Sequence, residues 1–191
     1  MKGGVGKTTS SVYLAALGAS RRPVTIVDAD PQAAAAEWVE QSEDERLSMV
    51  TVVEAPTERL VTKALDRLDD DHLVVIDSPP ANERFLAKLV ERGDVALVPT
   101  RVGGIEAPRV ETVLGLVPDG TAAGLVICSA RTFTRDYQET LATWSGAKVP
   151  VWGSVPERVA IAAGPAGPLH EDGLEAYKKV WRRVQTAARS R

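Results

Sequence analysis

The chain has little to crosslink with and little aromatic surface: among 191 residues there is one cysteine, and aromatic residues make up 5%. The lone Cys128 excludes an internal disulfide and a cluster held by several cysteines of one chain, and it fits a reducing cytoplasm. With only His72 and His170 there is no metal-ligand signature, and both are expected at the surface. No apolar run approaches the ~18 residues of a membrane span, and no apolar segment of a secretory signal follows Lys2. Basic residues are not in excess: 23 Lys and Arg face 26 Asp and Glu, a net charge of −3. The chain as a whole is therefore not a basic nucleic-acid binder. Repeats and low-complexity linkers are also missing. What is present is ordinary for a globular protein, 44% hydrophobic and 26% charged, with a length that suits one domain over residues 1–191.

Short β-branched runs alternate with helical stretches. Strands are expected at 24–27, 49–53, 73–76, 95–98, 123–128 and 149–153, and helices at 7–20, 32–42, 57–68, 82–91, 105–117, 136–145 and 172–188. Continuous apolar runs such as Leu73-Val74-Val75-Ile76 suit strands covered on both faces. The fold class is therefore α/β, a mostly parallel twisted sheet with helices on both faces and right-handed crossovers. Ligands of such sheets bind beyond the carboxyl ends of the strands, where Asp28, Asp77 and Thr100 are expected.

The opening residues, Met1-Lys2-Gly3-Gly4-Val5-Gly6-Lys7-Thr8, end as a Walker A loop does, in Gly-Lys-Thr. Gly3, Gly4 and Gly6 let the backbone curl with its N–H groups turned inward, around Val5, and the following helix, through Thr9, aims its N-terminus at phosphates. Lys7 is the point charge for the β- and γ-phosphates, and the Thr8 hydroxyl is a Mg²⁺ ligand. Such a loop normally follows a strand. Here the first strand is missing from the chain, and the expectation is that the natural protein starts roughly ten residues earlier, a strand's length with its approach, with Met1 internal. Further on, the strand Thr25-Ile26-Val27 leads to Asp28-Ala29-Asp30-Pro31-Gln32. Acids two apart on an extended segment point the same way, and Asp30 could equally cap a helix entered at Pro31. Leu73-Val74-Val75-Ile76-Asp77 has the Walker B form, with Asp77 placed to hold Mg²⁺ through water. Residues 78–80 would form a switch loop.

Lys2, Lys7 and the two acidic motifs together resemble the ParA/MinD family of deviant Walker A P-loop ATPases, closest to the short ParA-type partition ATPases. The resemblance implies that Lys2 is the signature lysine, reaching the partner's nucleotide in an ATP-sandwich homodimer. It implies that Asp30 positions or activates the attacking water and that Asp28 supports the metal shell. Val155-Pro156-Glu157-Arg158 resembles a segment flanking the base, and Cys128-Ser129-Ala130-Arg131 departs from the family's base-binding turn.

From Ala176 to Arg191 there are six bases and no acids. Leu174, Tyr177, Trp181, Val184 and Ala188 form an apolar helical stripe, with Lys178, Lys179, Arg182 and Arg183 off it. Three readings stay open: a docking helix with a solvated back, a patch for non-specific DNA, or an amphipathic membrane anchor, which the small alanines disfavour. The expected function is a cytoplasmic, nucleoid-associated ATP hydrolase that uses ATP and Mg²⁺ in plasmid or chromosome partition, with a ParB-like partner. The alternative is a MinD-like or other cargo-positioning ATPase at a membrane or on a non-DNA cargo.

Overall fold

Each β-branched run becomes a strand, and helices alternate with them. The computed structural model describes residues 4–80, 82–103, 106–146, 149–165 and 167–190. In chain order the elements are α1 (Lys7–Ala19), β1 (Val24–Asp28), α2 (Ala34–Gln41), β2 (Val50–Glu54), α3 (Glu58–Leu65), β3 (Leu73–Asp77) and α4 (Glu83–Arg92). There follow β4 (Val95–Arg101), α5 (Ala107–Gly115), β5 (Ala122–Ala130), α6 (Arg135–Ser145), β6 (Val151–Pro156), α7 (Val159–Ala162) and α8 (Glu171–Arg189).

Every strand pairing is parallel, as crossovers through helices require. Strand β1 is buried at every position and lies between β2 and β3; β5 lies between β4 and β6. Among the described residues, β3 and β4 each pair with a strand on one side only. Helix α1 packs against both β3 and β4, and α8 packs against α1, β4, β5 and β6. These two helices join the three-stranded halves. Gly18 allows the close approach of α1 to β3, because a Cβ there would sit 2.2 Å from Leu73 Cδ2.

The largest core cluster gathers Val12, Tyr13 and Ala16 of α1, Ile26 of β1, Val126 of β5 and Leu174, Tyr177 and Val180 of α8. Burying Leu174 and Val180 stabilises the docking of α8 by roughly 1.5–3 kcal/mol each. The apolar stripe of this helix is therefore used by the core. Leu174, Tyr177 and Trp181 are buried, Val184 is half-buried and Ala188 is exposed. A polar clasp holds the entry to α8. Buried Asp44 accepts from Arg46 Nε at 2.8 Å, from Arg46 Nη2 at 2.7 Å and from Leu169 N at 2.8 Å. The Arg46 guanidinium holds the Asp44 carboxyl below its ordinary range.

Three details differ from the sequence expectation. Helix α2 begins at Ala34, not at residue 32, because Ala33 N donates to Asp30 O at 2.9 Å and closes a turn first. Thr100 lies inside β4 rather than beyond it. His72 and His170 are half-buried, and His170 caps α8, its Nδ1 accepting from Asp172 N at 3.1 Å. Among the described residues no helix is long and apolar enough to cross a membrane.

Candidate nucleotide site

Among the described residues, the N-cap side chain itself satisfies the first turn in four helices: Thr57 caps α3, Asn82 caps α4, Thr134 caps α6 and His170 caps α8. Helix α1 has no such cap and no acid in its first turn. Its N-cap is Gly6, in the left-handed region at φ 98°, where a side chain would be strained. A Cβ on Gly6 would also meet Cys128 Sγ at 2.8 Å. Orphan N–H groups at an uncapped helix N-terminus, with Lys7 beside them, attract an anion. Val5, Lys7, Thr8 and Thr9 are half-buried and Gly4 is exposed. Lys2 and Gly3 lie outside the described residues.

Parallel register sets Asp28 of β1 opposite Asp77 of β3. Both strands end in these acids, so two carboxylates share one rim. Asp77 is 1% exposed. Its Oδ2 accepts from Thr8 Oγ1 at 2.8 Å and its Oδ1 from Ser11 Oγ at 3.0 Å. Burial pushes its pKa up to about 6, the two hydroxyls and Lys7 pull it down, and Asp28 raises it. A buried carboxylate held by hydroxyls next to an anion site is a fitting seat for a hard divalent cation that keeps some of its water. Thr8 and Asp77 are thus brought together as a pair that can hold Mg²⁺.

Asp28 is occupied differently. Its Oδ2 accepts from Ala35 N at 2.9 Å and Ala36 N at 3.1 Å, and its Oδ1 from Asp30 N at 3.1 Å. It thereby supplies the first turn of α2 with acceptors that the left-handed N-cap Ala33 does not, and it fixes the backbone of Asp30. Asp30 is half-buried, and its Oδ1 accepts from Gln32 N at 3.0 Å. It caps a turn, not the helix entered at Pro31 that was the alternative.

The loops after β5 and β6 meet through an ion pair between Arg131 and Glu157, and Glu157 N donates to Ala130 O at 3.2 Å. Phe133 on the loop after β5 and Val159, the first residue of α7, are 88% and 89% exposed. Lys178, Lys179, Arg182 and Arg183 are exposed on the outer face of α8, away from its buried face, and Lys178 pairs with Glu175 at 2.5 Å. The structure does not bring them to the phosphate loop.

Sequence reasoning missed Ser11. Residues three apart share a helix face, which sets Ser11 beside Thr8, but its bond to Asp77 spans 66 residues.

Residues 1–170 match the family described as the CobQ/CobB/MinD/ParA nucleotide binding domain. The chain belongs to this family. Within the CobQ/CobB/MinD/ParA family it is 36% identical over 124 residues to maintenance of carboxysome distribution protein A of Gloeobacter kilaueensis, covering 63% of this chain and 56% of that one. It is 29% identical over 108 residues to protein ParA of Rhizobium radiobacter, covering 56% and 48%. The chain spans about half the length of these curated relatives. Its fold matches a plasmid partition protein of Borrelia burgdorferi bound to AMPPNP, with TM-score 0.77 at 16% identity over 97% of this chain and 94% of that one.

Proposed function

We propose that this chain is a ParA-like ATPase that binds ATP with Mg²⁺, dimerises around the nucleotide and hydrolyses it while bound to non-specific DNA. The observation that carries the proposal is the hydrogen-bonded Thr8–Asp77 pair beside the uncapped N-terminus of α1. Lys7 and the first N–H groups of α1 would hold the β- and γ-phosphates. Thr8 and Asp77 would hold Mg²⁺, with Asp28 supporting that shell indirectly by fixing Asp30. When bound, Mg²⁺ would supply positive charge against the phosphates. Asp30 would orient the attacking water. Lys2 would add charge from the partner protomer. Two exposed apolar side chains, Phe133 and Val159, follow the carboxyl ends of β5 and β6, on the rim a face-to-face dimer would cover. Lys178, Lys179, Arg182 and Arg183 would meet DNA phosphates, and a ParB-like partner would stimulate turnover. The buried stripe of α8 favours this over insertion of α8 in a membrane.

DNA retention measured with and without MgATP tests the proposal. Retention should require MgATP and fall steeply with salt, about tenfold or more between 50 and 200 mM for several phosphate contacts. Nucleotide-independent retention, or binding only to anionic vesicles, would count against it. A second test is Lys2→Ala, which should keep ATP binding but lose the dimer and stimulated turnover; unchanged dimerisation by light scattering would remove Lys2 from the mechanism. A second reading has its own support: the match to carboxysome distribution protein A is closer in identity than the match to ParA. On that reading the same ATP cycle positions a protein cargo.

A further inference from the structure

We propose that Tyr177 is a positioning residue for the phosphate loop, acting through a buried chain of hydroxyls that ends on the carbonyl of Gly6. The inference rests on the proposed nucleotide site. Tyr177 is fully buried on α8, and its hydroxyl lies 2.8 Å from Ser10 Oγ. Ser10 Oγ in turn donates to Gly6 O at 2.8 Å. A serine has one proton to give. Since Ser10 gives it to Gly6, Tyr177 is the donor to Ser10. Cys128 Sγ lies 3.9 Å from the Tyr177 hydroxyl. Burial pushes the Cys128 pKa up to about 11, so the group is a thiol with an S–H to offer. Cys128 S–H also faces Val126 O at 4.0 Å, so the direction is fixed over the last two links: Tyr177 O–H to Ser10 O–H to Gly6 C=O.

The end of this chain matters because Gly6 C=O and Lys7 N–H belong to one peptide unit. Lys7 N–H is the first amide of α1 and one of its orphan donors. Hydrogen bonds in series polarise one another. Loading the carbonyl draws electron density from the amide and makes its N–H a stronger donor to a phosphate oxygen. The same residues also fix the shape of the loop. Cys128 Sγ occupies the space that a Cβ on Gly6 would need, and Ser10 N adds a second bond to Gly6 O at 2.9 Å. Gly6 is thus supported by Cys128 of β5 and, through Ser10, by Tyr177 of α8.

A matched control is built into the fold. Tyr13 stacks on Tyr177 with ring centroids 5.0 Å apart. Its hydroxyl accepts from His170 N at 3.0 Å, so it ties down α8 without touching the loop. The experiment compares Tyr177→Phe, Ser10→Ala, their double variant and Tyr13→Phe for ATPγS affinity by calorimetry with Mg²⁺ and for thermal midpoint. Kinetic constants for ATP are measured alongside. Tyr177→Phe and Ser10→Ala should each weaken nucleotide binding about five- to tenfold, the worth of one hydrogen bond. The loss should fall on KM and leave kcat within about twofold, because the loop grips ground state and transition state alike. The double variant should be no worse than either single one, as members of one chain are not additive. Tyr13→Phe should lower the midpoint comparably and leave affinity unchanged. Unchanged affinity in Tyr177→Phe and Ser10→Ala, strictly additive losses, or an equal loss in Tyr13→Phe would overturn the proposal. Should Tyr177→Phe not fold, unchanged affinity in Ser10→Ala alone would overturn it. Failure of the unaltered protein to bind nucleotide would instead refute the proposed function.

Discussion

Asp30→Ala is expected to slow ATP turnover by about 10²–10⁴-fold, the usual contribution of a positioned acid–base group, while leaving MgATP binding intact. The geometry separates the two. The binding parts, Lys7, Thr8 and the first turn of α1, sit on one helix, and the Thr8–Asp77 bond does not involve Asp30. Asp30 stands at the end of β1, and its backbone is pinned by Asp28 Oδ1 at 3.1 Å. Replacing its side chain removes a carboxylate but not the loop, because Asp28 remains anchored to Ala35 N and Ala36 N. The protein should then accumulate as an ATP-bound dimer. Single-turnover phosphate release together with size-exclusion light scattering checks this. Turnover near that of the unaltered protein would remove Asp30 from the chemistry.

Asp77→Asn is expected to reverse its effect on stability depending on whether nucleotide is present. In the nucleotide-free protein the Asp77 pKa is raised from 3.8 to about 6. Between those values the folded chain holds a proton that the unfolded chain has released. Stability from this group is therefore present below pH 4 and is lost as pH rises through about 6. The upper bound is roughly 3 kcal/mol, from a shift of about two units at 1.36 kcal/mol each. Asparagine does not ionise and removes that slope. It also gives Thr8 and Ser11 one acceptor oxygen where the carboxylate gives two, so the net gain at pH 7 should be smaller than the bound. With MgATP the order should invert: the unaltered protein gains stability by linkage to its ligand, and the variant does not. Urea unfolding from pH 4.5 to 7.5, with and without MgATP, measures both effects. A variant with the same pH slope as the unaltered protein would show that Asp77 is not the group responsible.

The start of α1 at Lys7 and both acidic strand ends were legible in the sequence because their information is local. An apolar run that stops at an acid marks both the strand and the position of its last side chain. The errors arose where a local rule met a tertiary one. Strand β4 was expected over residues 95–98, and proline at 99 cannot donate to a ladder. It runs on through Thr100 to Arg101, and β4 pairs with a strand on one side only among the described residues. Helix α2 starts late because Asp28, six residues before Ala34, draws its first amides inward. The four-residue α7 is too short to show a period. The roles of Ser10 and Ser11 were invisible for another reason. Their partners lie 167 and 66 residues away, and no pattern within a window of helical length reports such a pairing.

The position of Tyr177 also has a consequence for biosynthesis. The largest core cluster draws on both α1 and α8, which pack against each other, so the two helices that need each other lie far apart in the order of translation. Chains are made from the N-terminus, and early segments wait for distant partners. While α8 is still in the ribosome, Tyr13 lacks its stacking partner Tyr177, and Ser10 has no donor from Tyr177. The loop before α1 reaches its finished form only when α8 docks. A stalled or clipped nascent chain would therefore carry the phosphate-binding sequence without its support, which ties competence for nucleotide to completion of the fold.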